Sequence, residues 1–224
     1  MEDLEREMLL IAQGNELAFN SFMNRYMDGL YYHSYGILYN KEMAEEIVSD
    51  VFLEVWKNRK KIMEVENMKA WLNTLIYRKS ISYLRKEKIL AAFENLGFNL
   101  EDNESLGFSF NYEGINYLYM YNEDDEDFLN ISVPGIYDLE EDNKENYDAL
   151  KEKINSTLKY VKAYTLGKGL WLFYERDLLG NEDLEEVIRH MILHLAAALM
   201  FARDSIEKID NGESDEGSDN DNND

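Results

Sequence analysis

The sequence has no cysteine, one proline and only three histidines among its 224 residues. The absence of cysteine excludes disulfide bonds, thiolate metal sites and a cysteine nucleophile. No apolar run reaches the roughly 18 residues that a membrane-spanning helix needs, so we expect no contact with a membrane. The first ten residues, MEDLEREMLL, are acidic and lack the basic start of a signal peptide. Together these features predict a cytoplasmic location.

Acidic residues outnumber basic ones and give a net charge of −23, but they are unevenly distributed. Residues 1–88 carry 13 Lys/Arg against 14 Asp/Glu, whereas residues 89–210 carry 10 against 26. A step of this size predicts a domain boundary near Lys88. The residues from 210 to 224 contain no apolar side chain to bury, so they are predicted to form a disordered acidic tail. The predicted domains are therefore 1–88 and 89–209.

The first domain is predicted to be all-α with four helices. The apolar residues between Glu16 and Tyr39 recur at helical spacing. Asn40 can cap a third helix over about Lys41–Lys60, and a fourth begins after Asn67. Since Gly and Pro are absent between Gly36 and Gly97, the fourth helix can continue past Lys88 as far as Leu96.

The second domain is predicted to be α+β with an antiparallel sheet, because the hydrophobic period changes to two after Gly97. Glu113-Gly114 can form the two-residue turn of a hairpin whose strands begin at Leu106 and Ile115. A third strand over Leu129–Val133 is predicted to stop at Pro134-Gly135. A helix, two strands separated by Gly167-Lys-Gly169 and a long last helix complete the order αβββαββα.

No arrangement of residues predicts catalysis, a metal site or a cofactor. His190 and His194 share a helix face and could ligate zinc, but no HExxH motif is present, and histidines flanking an apolar face usually serve packing. Thr165-Leu-Gly-Lys-Gly-Leu170 lacks the pattern of a phosphate-binding loop. The acidic run 123–127 lacks the spacing of a calcium loop. We therefore expect a protein that acts by binding rather than an enzyme.

Two surfaces of the first domain are candidates for binding. The outer face of the third helix combines charges with one apolar side chain, as an interface with a partner helix does; its residues are Glu46, Asp50, Leu53, Trp56 and Lys57. The fourth helix and the segment before it combine cations, hydroxyls and an aromatic ring, which suits phosphates and stacked bases. These residues are Lys61, Lys69, Trp71, Thr74, Arg78, Lys79, Ser82, Arg85 and Lys86.

Residues 8–88 resemble region 2 of the extracytoplasmic-function class of bacterial RNA polymerase sigma factors. The resemblance lies in the stretches beginning at Ile11, Met43 and Asn67 and in the closing Tyr83-Leu-Arg-Lys86. It implies that the third helix contacts the β′ clamp helices of core RNA polymerase. It also implies that the loop Ile62–Met68 and the fourth helix capture unstacked bases of the promoter −10 element. The sequence departs from the family at Ile76-Tyr77-Arg78 and at Ser82, so promoter choice is expected to differ.

The residues after Lys88 resemble a different family. No basic helix-turn-helix follows, so region 4, which reads the −35 element in sigma factors, is missing. Instead, Phe128–Pro134, the Ile154-Asn155 pair, Lys159–Ala163 and Glu175 resemble the YbjN-like family, which shares its fold with type III secretion chaperones. The resemblance implies a regulatory domain without catalysis that binds a protein partner or self-associates through residues 89–209.

The sequence therefore predicts a sigma-factor-like transcription protein that binds core RNA polymerase and −10 DNA and is fused to a protein-interaction domain. The alternative is a chaperone-like or sensory-regulatory interaction protein whose first module no longer supports initiation. Run-off transcription with core polymerase distinguishes the two. A metal-dependent enzyme built on His190 and His194 is a third hypothesis, which a zinc assay tests.

Overall fold

The computed structural model describes residues 2–103, 106–121 and 128–210. The chain divides into two compact units with the boundary between Lys88 and Ile89, and each unit has a hydrophobic core of its own. Within the described ranges, no helix is both long and apolar enough to cross a membrane. The acidic run 123–127 and the tail from residue 211 onward, both predicted to be solvated, lie outside the described residues.

The first unit is helical, as the sequence predicted. Its elements are α1 (Glu2–Ala12), α2 (Glu16–Leu38), α3 (Lys41–Lys57), a short 3₁₀ helix (Arg59–Glu64) and α4 (Met68–Asn95). Two asparagines cap the starts of α2 and α3: the Oδ1 atoms of Asn15 and Asn40 accept hydrogen bonds from the N–H groups of Ala18 (2.9 Å) and Met43 (3.1 Å). Helix α4 runs to Asn95, which confirms the prediction that it continues beyond Lys88.

Helix α3 is shorter than predicted, since it ends at Lys57 rather than near Lys60. The backbone N–H of Asn58 and its side-chain amide both donate to the carbonyl oxygen of Glu54. A side chain that bonds to the preceding turn in this way competes with continuation of the helix. The chain then forms the 3₁₀ helix. Ile62 of this helix is buried in the core and so holds the helix in place.

Helices α1, α2 and α4 are joined by two polar contacts in addition to apolar packing. The hydroxyl groups of Ser34 on α2 and Ser80 on α4 lie 2.9 Å apart and are fully buried, so one donates a hydrogen bond to the other. On the other side of α2, the guanidinium of Arg25 donates two hydrogen bonds to the carboxylate of Glu7 on α1. The paired geometry fixes the orientation of α1.

The second unit is an α+β domain with a six-stranded antiparallel sheet, which confirms the predicted fold class. The strand order is β1-β2-β3-β4-β6-β5. Residues Ile89, Ala92 and Phe93 at the end of α4 belong to its core. The strands are β1 (Glu101–Asn103), β2 (Gly107–Tyr112), β3 (Ile115–Met120), β4 (Phe128–Asp138), β5 (Val161–Leu166) and β6 (Gly169–Asp177), and the helices are α5 (Lys144–Thr157) and α6 (Leu184–Asp210).

Both predicted hairpins are confirmed. Glu113 and Gly114 adopt φ values of +52° and +78° between β2 and β3, as a two-residue hairpin turn requires. Gly167 and Lys168 connect β5 to β6, so the glycine-containing segment is a hairpin turn rather than a phosphate loop.

Two features of the sheet differ from the sequence prediction. The exposed three-residue strand β1 was not predicted, because its residues Glu-Asp-Asn have low strand propensity. Strand β4 does not stop at Pro134-Gly135 but continues to Asp138. A register shift between Val133 and Tyr137 absorbs the proline, which therefore breaks the ladder without ending the strand.

Strand β5 lies at one edge of the sheet, and Asn155 of α5 closes this edge. The Oδ1 atom of Asn155 accepts a hydrogen bond from the N–H of Ala163 (2.7 Å), and its Nδ2 atom donates to the carbonyl of Ala163 (3.0 Å). The Nζ atom of Lys162 donates to the carbonyls of Asn155 and Leu158 at the end of α5. The residues that carry the YbjN-like resemblance here thus join α5 to the sheet and satisfy an otherwise open edge.

We expect Asn155→Ala to destabilise the second unit by about 1–3 kcal/mol, because it leaves both backbone groups of Ala163 without their partner. Hydrogen exchange measured by mass spectrometry should show faster exchange in the β5 peptide. Asn155→Asp keeps the acceptor for the Ala163 N–H and should retain most of the protection. Equal exchange in Asn155→Ala and the wild type would contradict the role assigned to this side chain.

Candidate functional site

The outer face of α3 presents one apolar side chain among charges. The inner face (Ala44, Ile47, Val48, Val51, Phe52 and Val55) is buried. The opposite face is solvent-exposed and holds Glu46, Asp50, Leu53 and Lys57, which are spaced at four, three and four residues. Leu53 is 50% exposed. A half-exposed leucine bordered by both signs of charge can supply the apolar centre of a helix–helix contact.

Trp56, predicted to belong to this face, lies at its margin. Its ring centroid is 4.8 Å from that of Phe19 on α2, and the guanidinium carbon of Arg59 lies 4.9 Å from the Trp56 ring centroid. The tryptophan therefore packs against both the core and a cation, and only part of it faces solvent. Its contribution to any partner contact is limited to that exposed part.

A salt bridge joins α3 to α4. The Nζ atom of Lys79 lies 3.1 Å from the carboxylate of Glu54. Lys79 was predicted to contact DNA phosphates, but in this structure its ammonium is shared with a carboxylate. To contact a phosphate, the Lys79 ammonium must therefore either bind the phosphate and the Glu54 carboxylate at once or release the carboxylate.

A cleft of about 560 Å³ opens beside this salt bridge. It is formed by the end of α3, the 3₁₀ helix, the loop that follows and the first turns of α4. Trp71 and Leu75 provide apolar lining, Asn58 and Asn67 provide amides, and Lys61 provides a cation. The remaining lining residues are Glu54, Glu64, Val65 and Glu66.

The wall of the cleft is held by the cap of α4. The Oδ1 atom of Asn67 accepts a hydrogen bond from the N–H of Ala70 (3.0 Å), and the N–H of Trp71 donates to the carbonyl of Asn67 (3.0 Å). Buried Ile62 and Met68 hold the loop from either end. The volume lies within the roughly 300–1,000 Å³ typical of ligand sites, and an aromatic face next to amides suits a flat ring with hydrogen-bonding edges.

The predicted cationic stripe on α4 is exposed only in its first part. Thr74 and Arg78 are exposed, with the Thr74 hydroxyl donating to the carbonyl of Ala70 (3.0 Å), and Trp71 is partly buried. Lys79, Arg85 and Lys86 are also partly buried. Ser82 is buried, so in this conformation its hydroxyl cannot meet a strand of nucleic acid. The exposed cations near the cleft are Lys57, Lys60, Lys61 and Lys69.

Several residues that line the cleft were not singled out from the sequence. Glu54, Asn58 and Asn67 are ordinary polar residues on a helix or at its end, and only their meeting in space gives them a shared role. Leu75, predicted as core, also lines the cleft and is only partly buried. Asn67 had a sequence signal, since it precedes a helix, but that signal indicates a cap rather than a cleft.

In the second unit, the rings of His190 and His194 approach to 4.1 Å between centroids. The Nδ1 atom of His194 lies 2.9 Å from the carbonyl oxygen of His190, and the Tyr174 hydroxyl lies 3.3 Å from Nδ1 of His190. Tyr160 packs edge-on against both histidines. Among the described residues, no group of three or more His, Cys, Asp or Glu side chains is arranged to hold a metal.

Glu175, the last of the residues that carry the YbjN-like resemblance, lies on β6. Its carboxylate accepts a hydrogen bond from the amide of Asn130 on β4 (2.8 Å). Partial burial raises the pKa of Glu175. The residue therefore has a structural partner across the sheet.

Residues 22–89 match the family model for sigma-70 region 2. The chain is also similar to the solved structure of YbjN from E. coli, a proposed transcription regulator, at 11% sequence identity. That likeness covers 52% of this chain and 89% of YbjN, with a TM-score of 0.42. A comparison with curated proteins found no match. The match to sigma-70 region 2 confirms the resemblance inferred from the sequence for the first domain.

The first unit is therefore sigma-factor-like. A sigma-70 region 2 implies interaction with RNA polymerase and promoter DNA in general. The outer face of α3 and the cleft beside Trp71 both fall within the matched segment.

Leu53 and Trp56 are expected to respond differently to substitution. Trp56→Ala should destabilise the first unit by about 2 kcal/mol, because the ring packs on Phe19. Leu53→Asp should change stability by only about 0.5 kcal/mol, because that side chain touches solvent rather than the core. Thermal unfolding followed by circular dichroism measures both. A comparable loss of stability in Leu53→Asp would contradict the assignment of Leu53 to a free surface.

Proposed function

We propose that this chain is a sigma-factor-like transcription protein that binds core RNA polymerase and the promoter −10 element through its first unit. The proposal rests mainly on one observation: an exposed leucine face and an aromatic, amide-lined cleft lie side by side within the segment that matches sigma-70 region 2. The proposed activity is binding, with no catalytic step. Because RNA polymerase is cytoplasmic in bacteria, the proposal implies the same location for this protein.

In the proposed complex, the outer face of α3 packs on the β′ clamp helices of the polymerase. Leu53 supplies the apolar centre, and Glu46, Asp50 and Lys57 supply charges that orient the contact. The exposed edge of Trp56 extends the apolar area. This assignment keeps the buried face of α3 intact, so the free and bound forms share one helix.

The cleft is the proposed site for an unstacked base of the −10 element. Trp71 would stack on the base, and the amides of Asn58 and Asn67 would bond to its edge. Lys61, Lys69, Thr74 and Arg78 lie on exposed positions where a phosphate backbone can pass. Arg85 and Lys86 belong to the proposed surface only through their exposed portions.

The second unit is proposed to act as a regulatory interaction domain. It occupies the place after region 2 where sigma factors carry region 4, and its described elements form an antiparallel sheet with two further helices. Initiation through the first unit would therefore depend on the −10 element. Run-off transcription with purified core polymerase tests this. Polymerase binding without transcripts would favour the alternative, an interaction protein that no longer initiates.

Leu53→Asp should weaken co-purification of core polymerase with the full-length protein at least tenfold, since it places an unpaired charge in an apolar contact. Leu17→Asp is the matched control: Leu17 is 78% exposed on α2 and is not among the residues of the proposed surface, so this variant should bind as the wild type does. Circular dichroism should show unchanged helix content in both variants. Unchanged polymerase binding by Leu53→Asp would reject this surface.

Trp71→Ala should weaken binding of single-stranded −10-like DNA by about 1–3 kcal/mol if the ring stacks on a base. About four phosphate contacts would give a log–log salt slope of roughly −3. Fluorescence anisotropy with full-length protein measures both quantities. Trp171→Ala, in strand β6 of the second unit, is the matched control and should leave the affinity unchanged. Lost thermal stability in Trp71→Ala with unchanged affinity would show that the ring serves packing instead.

A further inference from the structure

Helix α6 presents an apolar stripe to solvent in addition to the face that it buries. Its inner face, which includes Ile188, Met191 and Leu195, belongs to the core of the second unit. On the opposite face Leu193 and Met200 are 66% and 67% exposed, and exposed Ala197 lies between them. A helix needs only one apolar face to pack on its own sheet, so this second stripe has no role within the described part of the unit.

The stripe is self-complementary when two α6 helices run antiparallel. Let the two helices cross between Ala196 and Ala197. A residue that lies a given number of positions before this point in one helix is then opposite the residue that lies the same number of positions after it in the other helix. Leu193 then opposes Met200, and the two alanines oppose each other. Small residues at the crossing point allow the axes to approach to about 8 Å, the short end of helix packing distances.

The charges follow the same symmetry. In this register Arg189 opposes Asp204, and Glu185 opposes Lys208, so each contact of opposite charge occurs twice. Arg189 and Asp204 lie about 11 Å from the crossing point along the axis. At a shallow crossing angle of about 20° the two side chains remain within reach of each other.

Two other interactions bear on this register. Glu186 opposes Glu207, an unfavourable pair, but it lies about 16 Å from the crossing point, where solvent screens it. Within one chain, Arg189 lies 3.9 Å from Glu185 one turn away. Exposed pairs of this kind contribute little, so the guanidinium can take a second carboxylate at small cost.

We propose that two copies of this chain associate through α6, as an antiparallel and symmetric pair centred on Ala196 and Ala197. The symmetry makes the contact closed, with the same patch on both partners. One helix pair buries an area at or below the low end of stable interfaces, so the dimer is weak. The proposal does not depend on the function of the first unit.

Sedimentation velocity of the full-length protein, from about 5 to 200 μM, should show a reversible shift from monomer to dimer. Leu193→Glu should keep the protein monomeric throughout and leave its circular dichroism unchanged. Leu179→Glu is the matched control: Leu179 is 84% exposed but lies before α6, and this variant should dimerise as the wild type does.

Charge reversal tests the register itself. Arg189→Asp alone places aspartate opposite Asp204 in both contacts, and Asp204→Arg alone places arginine opposite Arg189, so each variant should dimerise at least tenfold more weakly. An equimolar mixture of the two variants restores opposite charges in both contacts and should form a mixed dimer. A wild type that stays monomeric, a Leu193→Glu variant that dimerises, or a mixture that gains nothing would each overturn the proposal.

Discussion

The burial of one face of α3 determines where the candidate surface of the first unit lies. Val48 and Val51 are almost completely buried against the core. At 3.6 residues per turn, this burial turns Asp50 and Leu53 toward solvent. The same helix ends at Lys57, where the chain turns into the segment that forms the cleft. A change in the buried face would therefore displace both candidate surfaces, whereas a change on the outer face alters only a contact.

The second unit shows how residues that look like a functional signature can serve the fold. Asn155 pairs with both backbone groups of Ala163, and Lys162 caps the end of α5. These contacts protect an edge strand, which is a common requirement of open sheets. The outer stripe of α6 is a surface to which the described part of this unit assigns no structural role. Its residues Leu193 and Met200 belong to no recognisable sequence motif.

Hydrophobic periodicity predicted most of the elements, because burial of a helix or strand face leaves a direct trace in the sequence. It failed where a local side-chain bond or an irregular strand pairing decides the outcome: Asn58 ends α3 early, and a bulge carries β4 past Pro134. For the site, a helical wheel placed Leu53 on the exposed face but gave no information about covering neighbours. It therefore put Ser82 on an exposed stripe, although the structure buries it. The cleft depends on residues from four segments, which no local pattern can bring together.

The charges around the cleft follow a division that the proposed function requires. Three carboxylates (Glu54, Glu64 and Glu66) and one cation (Lys61) line the cleft itself, whereas exposed Lys60 and Lys69 lie outside its lining. Carboxylates repel phosphate, so the interior favours an uncharged ring over the backbone that carries it. The lysines outside attract that backbone over distances of about 8–10 Å at physiological salt. In the proposed complex, the phosphates of a single strand would bind to the surface lysines, and its bases would be recognised at the cleft. Affinity and selectivity would then come from different residues of one small helical unit.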